Sequence, residues 1–397
     1  MDSITKYKTD SGSPRWLVRY DVYENGKRVQ KKRSFRTAAD AKAFGAKTEA
    51  AILSGMYADA RGLTVGEWFD VWLKTYTTNV RPNTLRDYKN ALNQMAKPRI
   101  GNIRLESLNT AAIQGAYNDI LSTEYMAAKY TEKNGVRVLV KPARTYSPKY
   151  VRNIHAVVSL ALEQARREGL IARNPAHDVK LPSAREKEYT IPEPEQLQAL
   201  LTELRGAECY LAILTCALLA CRRGEALGLY WSDIDFDGGT VEFKRALIIN
   251  GLTRSVEVGE LKTKNARRVL PLPEALRRAL LELKTRKEME ARAAGAHVVQ
   301  SPFVFTTVQG KPFRPESISQ AFKRAAARVG LPDMRLHDLR HTGITYMLME
   351  GADPKTVSGF VGHATAQFTL NQYAHVMEQA KKKAGAILEN KVLLPLQ

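Results

Sequence analysis

The sequence predicts a multidomain α+β protein: a small N-terminal β-sheet plus helix domain, an all-α domain, and a mainly α domain with a small antiparallel sheet. Three observations predict this. The 397 residues suffice for two or three domains. Strand-like alternation of apolar and polar residues is concentrated near the N-terminus and in one segment of the second half. Apolar residues recur at helical spacing through most of the remaining chain.

Residues 1–60 predict the sheet-plus-helix domain. "RWLVRYDVY" alternates, an Asn-Gly pair supplies a tight turn, and "VQKKRSF" returns as a second strand of a two- or three-stranded sheet. A helix follows, from an N-cap at Thr37 to an end at Gly55. Such a basic ribbon suits the DNA major groove, and the alternative is a solvated edge strand guarded by lysines. The candidate DNA-binding residues are Arg15, Arg19, Lys27, Arg28, Lys31, Lys32 and Arg33.

Residues 63–178 predict the all-α domain from a series of helix starts. Thr64 precedes "VGEWFDVWLKTY", whose apolar residues have helical spacing, and is the expected cap of that helix. Asn83 or Thr84 is the expected cap of the next helix. Ser147 followed by Pro148 opens a long helix.

Basic residues stand at the helix starts of this domain, where Arg81 and Thr84 are candidate DNA contacts. Residues 126–146 are polar and basic and predict a loop or a small hairpin insertion. Residues 179–190 lie in a proline-rich, charged stretch and predict an exposed linker.

Residues 187–397 predict a larger, mainly helical domain with the small antiparallel sheet inside it. Its three cysteines, Cys209, Cys216 and Cys221, lie in an apolar run and predict reduced core residues. The end of the chain, "EQAKKKAGAILENKVLLPLQ", predicts a helix and a short apolar strand. This C-terminal tail would pack either on a neighbouring protomer or on its own domain.

The composition points to a soluble DNA- or RNA-binding protein. The net charge is +20, from 61 Lys and Arg against 41 Asp and Glu, which favours a polyanionic partner. Nucleic acid is favoured over a membrane because no single basic amphipathic helix carries the charge. No apolar run is long enough to span a membrane, and the N-terminus lacks the layout of a secretory signal. We therefore expect a cytoplasmic protein.

Two sequence patterns resemble metal sites but lack the required ligands. "DIDFDGG" opens like a calcium loop, yet Lys244 occupies the position of the bidentate carboxylate, so we interpret it as a turn between a helix and a strand. His337 and His341 have ligand spacing, but the glutamate of a zinc-protease motif is absent and an arginine lies between them. No phosphate-binding GxxxxGK[ST] motif occurs. The sequence predicts neither a metal nor a cofactor.

Several polar segments of the second half of the chain, each taken alone, could have a purely structural role instead of a functional one. Arg222 and Arg223 follow an apolar helix and would also suit its carbonyl end. Lys262 and Lys264 lie in a predicted turn between two strands, where they would also suit a solvated hairpin. A third segment, "RLHDLRHT", is followed by "VGHA" and "NQYAH". Taken together, these segments indicate a phosphate-binding catalytic site.

The order R…K…HxxR…GH…Y in this domain context resembles the tyrosine recombinases, or phage-type integrases. The likeness covers about 330 residues, since the helical domain around "RPNTLRDYKNAL" resembles the family's core-binding domain. The N-terminal unit resembles the arm-site-binding domain of integrases. In one departure, this chain has Leu219-Ala220 where the family often has Thr-Gly.

The resemblance implies the catalytic roles. Two arginines would clamp the nonbridging oxygens of a phosphodiester, a lysine would protonate the leaving 5′ oxygen, and two histidines would move protons or hold the phosphate. A tyrosine would attack the phosphorus and form a 3′-phosphotyrosine link. "LKT" favours Lys262 over Lys264 as the acid, and Tyr346 is expected in a helix core. The implied catalytic residues are Arg222, Lys262, His337, Arg340, His363 and Tyr373, with Glu225 in support.

The implied function is site-specific DNA recombination, which integrates or excises a mobile element such as a phage genome. The implied partners are double-stranded DNA with core-type and arm-type sites, a homotetramer on that DNA, a directionality factor and a DNA-bending host factor. The implied location is the bacterial nucleoid. Two alternatives are a noncatalytic DNA-binding protein on the same scaffold and a type IB topoisomerase-like enzyme. The intact set of Arg, Lys, His and Tyr argues against the first, and the N-terminal unit argues against the second.

Overall fold

The computed structural model forms two compact units, Met1–Glu186 and Lys187–Gln397. The structure describes residues 4–9, 12–24, 27–53, 63–126, 129–133, 136–141, 143–184, 191–261, 264–293 and 301–363, and single residues at 365, 367 and 370. Lys262, Tyr373, the C-terminal tail and the expected helix end at Gly55 lie outside the described residues. The division into three domains and a linker stays a prediction.

The first unit begins with the predicted sheet and helix. Its elements are β1 (Ile4–Lys8), β2 (Pro14–Glu24), β3 (Lys27–Phe35) and α1 (Ala38–Leu53). The strands are antiparallel in the order β1-β2-β3. Val18 and Tyr20 of β2 are buried with Ala41 of α1, so one face of the sheet packs on the helix. The Thr37 hydroxyl accepts the Asp40 N–H at 3.1 Å, which confirms the predicted N-cap.

The helical part of this unit follows. Its helices are α2 (Val65–Thr75), α3 (Pro82–Lys89), α4 (Lys97–Ile100), α5 (Thr110–Ser122) and α6 (Pro148–Arg167), with a π-helical stretch, Asn90–Ala96, between α3 and α4. They share a core that includes Trp68, Phe69 and Ile154. The indole N–H of Trp68 donates to the Ala161 carbonyl at 2.8 Å, which satisfies its one donor inside the core.

The helix starts show which capping predictions are correct. Thr64 forms a capping box with Glu67, and the Ser147 hydroxyl accepts the Tyr150 N–H at 3.2 Å, as predicted. The prediction for α3 is wrong, because Arg81 is its N-cap and Pro82 its first residue. Proline suits this position, since its fixed φ is already helical and the N–H it lacks would have no partner there.

A hairpin and a two-stranded sheet that flanks it in the chain interrupt the helical part where the sequence predicts a loop or hairpin. Their strands are β4 (Glu124–Met126), β5 (Lys129–Lys133), β6 (Val136–Lys141) and β7 (Arg144–Thr145). β4 pairs with β7 and β5 pairs with β6, both antiparallel. The helices and their shared core are contributed by the chain on either side of this insertion.

The second unit is mainly helical with two small sheets. Its helices are α7 (Pro194–Glu203), α8 (Tyr210–Leu218), α9 (Arg223–Leu227), α10 (Glu274–Ala293), α11 (Pro315–Arg328), α12 (Asp338–Met349) and α13 (Pro354–Val361). Its strands are β8 (Ile234–Asp235), β9 (Thr240–Phe243), β10 (Arg245–Ile249), β11 (Val256–Glu260) and β12 (Arg268–Pro271). The strands form a three-stranded sheet, β12-β9-β8, and a hairpin, β10-β11. The predicted fold class is confirmed.

The core of the second unit contains the three cysteines, all reduced and buried as predicted. The "DIDFDGG" stretch forms the turn between β8 and β9, where Asp235 accepts the N–H groups of Asp237 and Gly238. It therefore joins two strands, and the expected join between a helix and a strand is wrong, because Ile234 and Asp235 already pair with β9. None of the helices in the described part of the chain has the length and apolarity to cross a membrane.

We predict that Ser147→Ala lowers the free energy of unfolding of the first unit by about 1 kcal/mol, because the first turn of α6 loses its side-chain acceptor. Urea unfolding followed by tryptophan fluorescence measures this, since Trp68 and Trp72 lie in this core. Thr84→Ala is the matched control, since Thr84 does not cap α3. Equal losses in both variants would contradict the capping assignment.

Candidate active site

The turn between α8 and α9 positions Arg222. Ala220 adopts φ 44°, a left-handed conformation that favours glycine, and its carbonyl accepts Nη1 of Arg340 at 2.9 Å. Arg222 is the N-cap of α9 and lies beyond the C-cap of α8, Leu219. The alternative interpretation, that this arginine complements the carbonyl end of α8, is therefore wrong. The Leu219-Ala220 departure therefore places an alanine where the backbone conformation suits the family's glycine.

A buried carboxylate, Glu225 at 2% exposure, holds Arg222 in place. Its Oε1 accepts Arg222 Nη1 at 2.7 Å and its Oε2 accepts the Arg222 backbone N–H at 3.0 Å. The same Oε2 accepts Nη2 of Arg268 at 3.0 Å. Burial alone would raise the pKa of Glu225, but Arg268 and Arg222 outweigh it and keep the pKa below its usual range. Glu225 is thus a carboxylate shared by two guanidinium groups.

Helix α12 contributes the histidine and arginine of "HDLRH". His337 is the N-cap residue, and Arg340 is almost fully buried one turn later. Asp338 accepts two hydrogen bonds from the Arg335 guanidinium, which ties the helix start to the preceding loop. The His337 and His341 rings meet edge to face with centroids 5.1 Å apart.

Tyr346, further along α12, is half-buried and its hydroxyl donates to the Pro192 carbonyl at 2.7 Å.

The end of α13 places His363. Gly362 closes the helix in the left-handed conformation at φ 72°, and the His363 N–H donates to the Ser358 carbonyl at 3.0 Å. Nη2 of Arg222 lies 3.5 Å from the Gly362 carbonyl. Asn265 Nδ2 donates to the His363 carbonyl at 3.3 Å, so the chain just before β12 also contacts this segment. His363 is therefore held close to Arg222.

Burial and nearby positive charge lower the pKa values of the imidazoles of the site. Burial, reinforced by Arg340 and Arg222, lowers the pKa of His363 to about 4. Burial and then the neighbouring His341 and Arg340 also lower the pKa of His337, although this residue is more exposed than His363. Burial and then Arg222 lower the pKa of Arg340 to about 10, which leaves it charged at neutral pH.

A cavity of about 660 Å³ opens beside these residues. Arg222 and His337 lie in its wall, and Arg223, Lys323 and Arg335 add further positive charge. Asp333 is the one acidic residue among those that line it. Within the described residues, no group of three or more His, Cys, Asp or Glu side chains is arranged to hold a metal ion. The cavity is suited to an anionic ligand.

The structure brings five of the seven proposed catalytic and supporting residues together: Arg222, Glu225, His337, Arg340 and His363. Lys262 and Tyr373 lie outside the described residues. Lys264 begins a short 3-10 turn before β12, as expected for a connection between strands. The sequence analysis missed Arg268, for which "NARRVLPL" holds no signal, since either arginine of the pair could face inward.

The N-terminal DNA-binding candidates occupy two faces of the sheet. Arg19 pairs with Lys32, and both are exposed, whereas Val18, on the helix side, pairs with Arg33. The Arg33 guanidinium lies 4.8 Å from the centre of the Phe44 ring of α1. Arg15 is half-buried, and Arg81 and Thr84 are exposed at the start of α3. The side chains of Lys27, Arg28 and Lys31 lie outside the described part of the structure.

Fixed guanidinium groups, imidazoles with lowered pKa values and a cationic cavity together are suited to phosphoryl transfer. Comparison with known proteins shows which family of phosphoryl-transfer proteins the chain resembles. Residues 192–380 match the phage integrase family, and residues 64–121 match the phage integrase N-terminal SAM-like domain. A curated relative, "Tyrosine recombinase XerC-like" of Caldanaerobacter subterraneus subsp. tengcongensis, is 26% identical over 387 residues, 92% of this chain and 93% of the relative.

Solved structures share the fold. The Tn1549 transposon integrase in complex with a circular intermediate DNA has a TM-score of 0.65 at 18% identity, covering 82% of this chain and 100% of that chain. A lambda integrase tetramer bound to a Holliday junction has a TM-score of 0.54 at 16% identity, covering 91% of this chain and 96% of that chain. The two family matches together span more than half of the sequence, and the chain belongs to the phage integrase family of tyrosine recombinases. It is a site-specific DNA recombinase.

We predict that Gly343→Ala destabilises the second unit by about 1 kcal/mol, because the added Cβ would lie 3.0 Å from the Cβ of Ala220 in a packed core. The double variant Ala220→Gly/Gly343→Ala should recover this loss, since glycine suits φ 44° and removes the clashing methyl. Thermal unfolding of the single and double variants measures both effects. A double variant less stable than Gly343→Ala would contradict the close contact.

We predict that stability falls as the pH drops from 6.5 toward 4, partly through His363. The folded-state pKa of His363 is about 4, below its ordinary 6.5, so in this window the unfolded chain binds a proton that the folded chain does not. The neutral His363 side chain contributes up to about 3 kcal/mol to the free energy of unfolding, and this contribution is fully present above the ordinary pKa of histidine. Urea unfolding from pH 4 to 7 should show a shallower decline for His363→Gln than for the wild type. Identical declines would contradict the pKa shift.

Proposed function

We propose that this recombinase cuts DNA by attack of the Tyr373 phenol on a phosphodiester clamped by Arg222 and Arg340. His337 and His363 hold the phosphate or move the proton of the phenol, and Lys262 donates a proton to the leaving oxygen. Glu225 supports Arg222. The assignment of Tyr373 and Lys262 rests on the order of the motifs, whereas that of the arginines and histidines is supported by their convergence on one site.

One observation about Arg340 carries the proposal. Its side chain is buried, its Nη1 donates to Ala220, and its Nη2 has no hydrogen-bond partner among the described residues. A buried donor without a partner costs about 1–3 kcal/mol, and more when the group is charged. A phosphate oxygen would satisfy that donor, and guanidinium groups bind such oxygens in a fixed planar geometry. The site is therefore prepared for an anion.

The charges around Glu225 support the same conclusion. Arg222, Arg268 and Arg340 contribute three positive charges against the single negative charge of this carboxylate. The excess positive charge faces a ligand that is an anion before the reaction and gains negative charge on its nonbridging oxygens during attack. Charges fixed before the reaction stabilise the transition state without reorganisation. The arginines would thus act mainly on the rate of cleavage.

The neutral imidazoles suit proton transfer once DNA is bound. Their pKa values are lowered by burial and by nearby guanidinium groups. A bound phosphate would oppose the guanidinium charge and raise these pKa values toward neutrality, where a histidine accepts and releases protons most readily. A histidine could then take the proton of the Tyr373 phenol, whose ordinary pKa is about 10.

The proposed step is balanced and reversible. The phenolate oxygen forms a bond to phosphorus, the bond from phosphorus to the 5′ oxygen breaks, and Lys262 protonates the departing oxygen. The 3′-phosphotyrosine link is again a phosphate ester, so attack by a 5′ hydroxyl of another strand restores a DNA phosphodiester. The reaction therefore needs no nucleotide hydrolysis.

The partners follow from the same proposal. Double-stranded DNA would be held by α3 at core-type sites, and the exposed Arg19 and Lys32 of the N-terminal sheet favour contacts with arm-type sites. Strand exchange between two duplexes would take place in a homotetramer. We expect a directionality factor and a DNA-bending host factor, and a cytoplasmic, nucleoid-associated location in a bacterial host. The substrate would be the termini of a phage or an integrative element.

We predict that Tyr373→Phe abolishes the covalent protein–DNA adduct while leaving DNA affinity unchanged, because the variant lacks only the attacking oxygen. The substrate is a duplex spanning the terminus of the element that carries the gene, nicked near the cleavage site so that the cleaved strand diffuses away. Denaturing gels measure the adduct, and band shifts measure binding. Tyr346→Phe is the matched control and should form the adduct, since Tyr346 bonds to the Pro192 carbonyl.

An adduct that persists in Tyr373→Phe would place the nucleophile elsewhere. No adduct with the wild-type protein on any terminal duplex that it binds would favour a noncatalytic DNA-binding protein. Relaxation of supercoiled plasmid without exchange between two site-bearing duplexes would favour a topoisomerase-like enzyme. Recombinant products between two such duplexes are the expected result.

A further inference from the structure

We propose that Arg268 is a positioning residue for the cleavage step. It holds Glu225 and the segment before His363 together and shares the negative charge of Glu225, so that less of the positive charge of Arg222 is offset and more of it acts on the phosphate. This inference rests on the proposed function. Arg268 opens β12 and is not among the residues that line the cavity, so it acts through its neighbours.

Every nitrogen of the Arg268 guanidinium has a defined acceptor. Nη2 donates to Glu225 Oε2 at 3.0 Å, Nη1 to the Ala266 carbonyl at 2.9 Å, and Nε to the Phe360 carbonyl at 2.7 Å. The guanidinium carbon lies over the Phe243 ring, 4.5 Å from its centre. A planar group with donors in three directions makes these contacts at once, which a lysine could not do.

The contacts of Arg268 tie its own segment to two distant parts of the site. Glu225 belongs to α9 and binds Arg222, Phe360 belongs to α13 just before His363, and Ala266 ends the short 3-10 turn that begins at Lys264. Each contact uses a different nitrogen, so they do not compete. Displacing this one guanidinium would loosen the contacts of α9 and α13 with the start of β12.

The backbone around Gly362 is shaped to this arrangement. A Cβ added at Gly362 would lie 3.0 Å from Nη1 of Arg268 and 2.9 Å from the Asn265 carbonyl. The segment therefore approaches the guanidinium more closely than a larger residue allows, and φ 72° itself favours glycine. The "GH" of the motif thus contributes both the histidine and the clearance that lets α13 pack against Arg268.

The role in charge balance follows from burial. Side-chain exposure is 6% for Arg268 and 2% for Glu225, so the pair interacts away from water. Without Arg268, Arg222 is the one cation in the described structure that still forms an ion pair with the Glu225 carboxylate, at 2.7 Å from its Nη1, while Arg340 interacts with that carboxylate without a direct ion pair. Arg222 would then be neutralised more completely by Glu225. We therefore expect the loss of Arg268 to slow cleavage more than it weakens DNA binding.

The test measures single-turnover adduct formation on the nicked terminal duplex, and affinity for that duplex, in two backgrounds. Arg268→Met in the wild-type background should lower the rate at least about 30-fold and change affinity less than about three-fold, because Arg222 remains but its charge is offset. In a Glu225→Gln background the same substitution should cost less than about five-fold, because the carboxylate that it unbalances is gone. Arg267→Gln is the matched control, since Arg267 is 68% exposed and pairs with Glu242 at the surface.

Removing one partner of a buried ion pair is strongly destabilising, so unfolding is measured for every variant. Should Arg268→Met fail to fold, Arg268→Lys replaces it, with a smaller rate loss that Glu225→Gln again masks. Equal rate losses in both backgrounds, or a parallel loss of affinity and rate, would overturn the inference and leave a purely structural role. A wild-type protein that binds the duplex but forms no adduct would overturn the proposed function, and this inference with it.

Discussion

The carboxylate of Glu225, buried between Arg222 and Arg268, is the interaction on which the catalytic unit depends. An isolated carboxylate would be expensive to bury, and its cost is offset only if both guanidinium groups are in place. The same oxygen atoms cap the first turn of α9 and bind the guanidinium that reaches α13. The ion pair therefore determines where the first arginine lies relative to the second histidine.

The site is prepared for its ligand at a cost to the free protein. Arg340 keeps a buried donor without a partner in the described structure, and Ala220 adopts a backbone conformation that suits glycine. These two features are linked, because the Ala220 carbonyl is the acceptor for the other terminal nitrogen of Arg340. Strain and unsatisfied polar groups concentrate at functional sites, where the surrounding packing compensates for them. Here α12 and α13 supply that packing through Ile344 and Val361.

Local rules explain which parts of the fold could be predicted. Ser147 and Thr64 precede apolar residues at helical spacing, and both cap helices as expected. The predicted start of α3 was wrong, because the proline at the first position of the helix outweighs the capping preference of the polar residues that follow it. Arg268 could not be predicted, since whether it or Arg267 faces inward depends on the register of β12 against β9.

The sequence by itself determined the order of the motifs that carry the proposed reactive side chains, because each motif is short and its chemistry is local. It also determined the helix starts at Thr37, Thr64 and Ser147, which depend on a few adjacent residues. Only the tertiary structure decided that Arg340 meets the carbonyl of Ala220 and that Arg268 joins Glu225 to Phe360. Those contacts link residues far apart in the chain, so they depend on how the helices and strands pack, which no local pattern encodes.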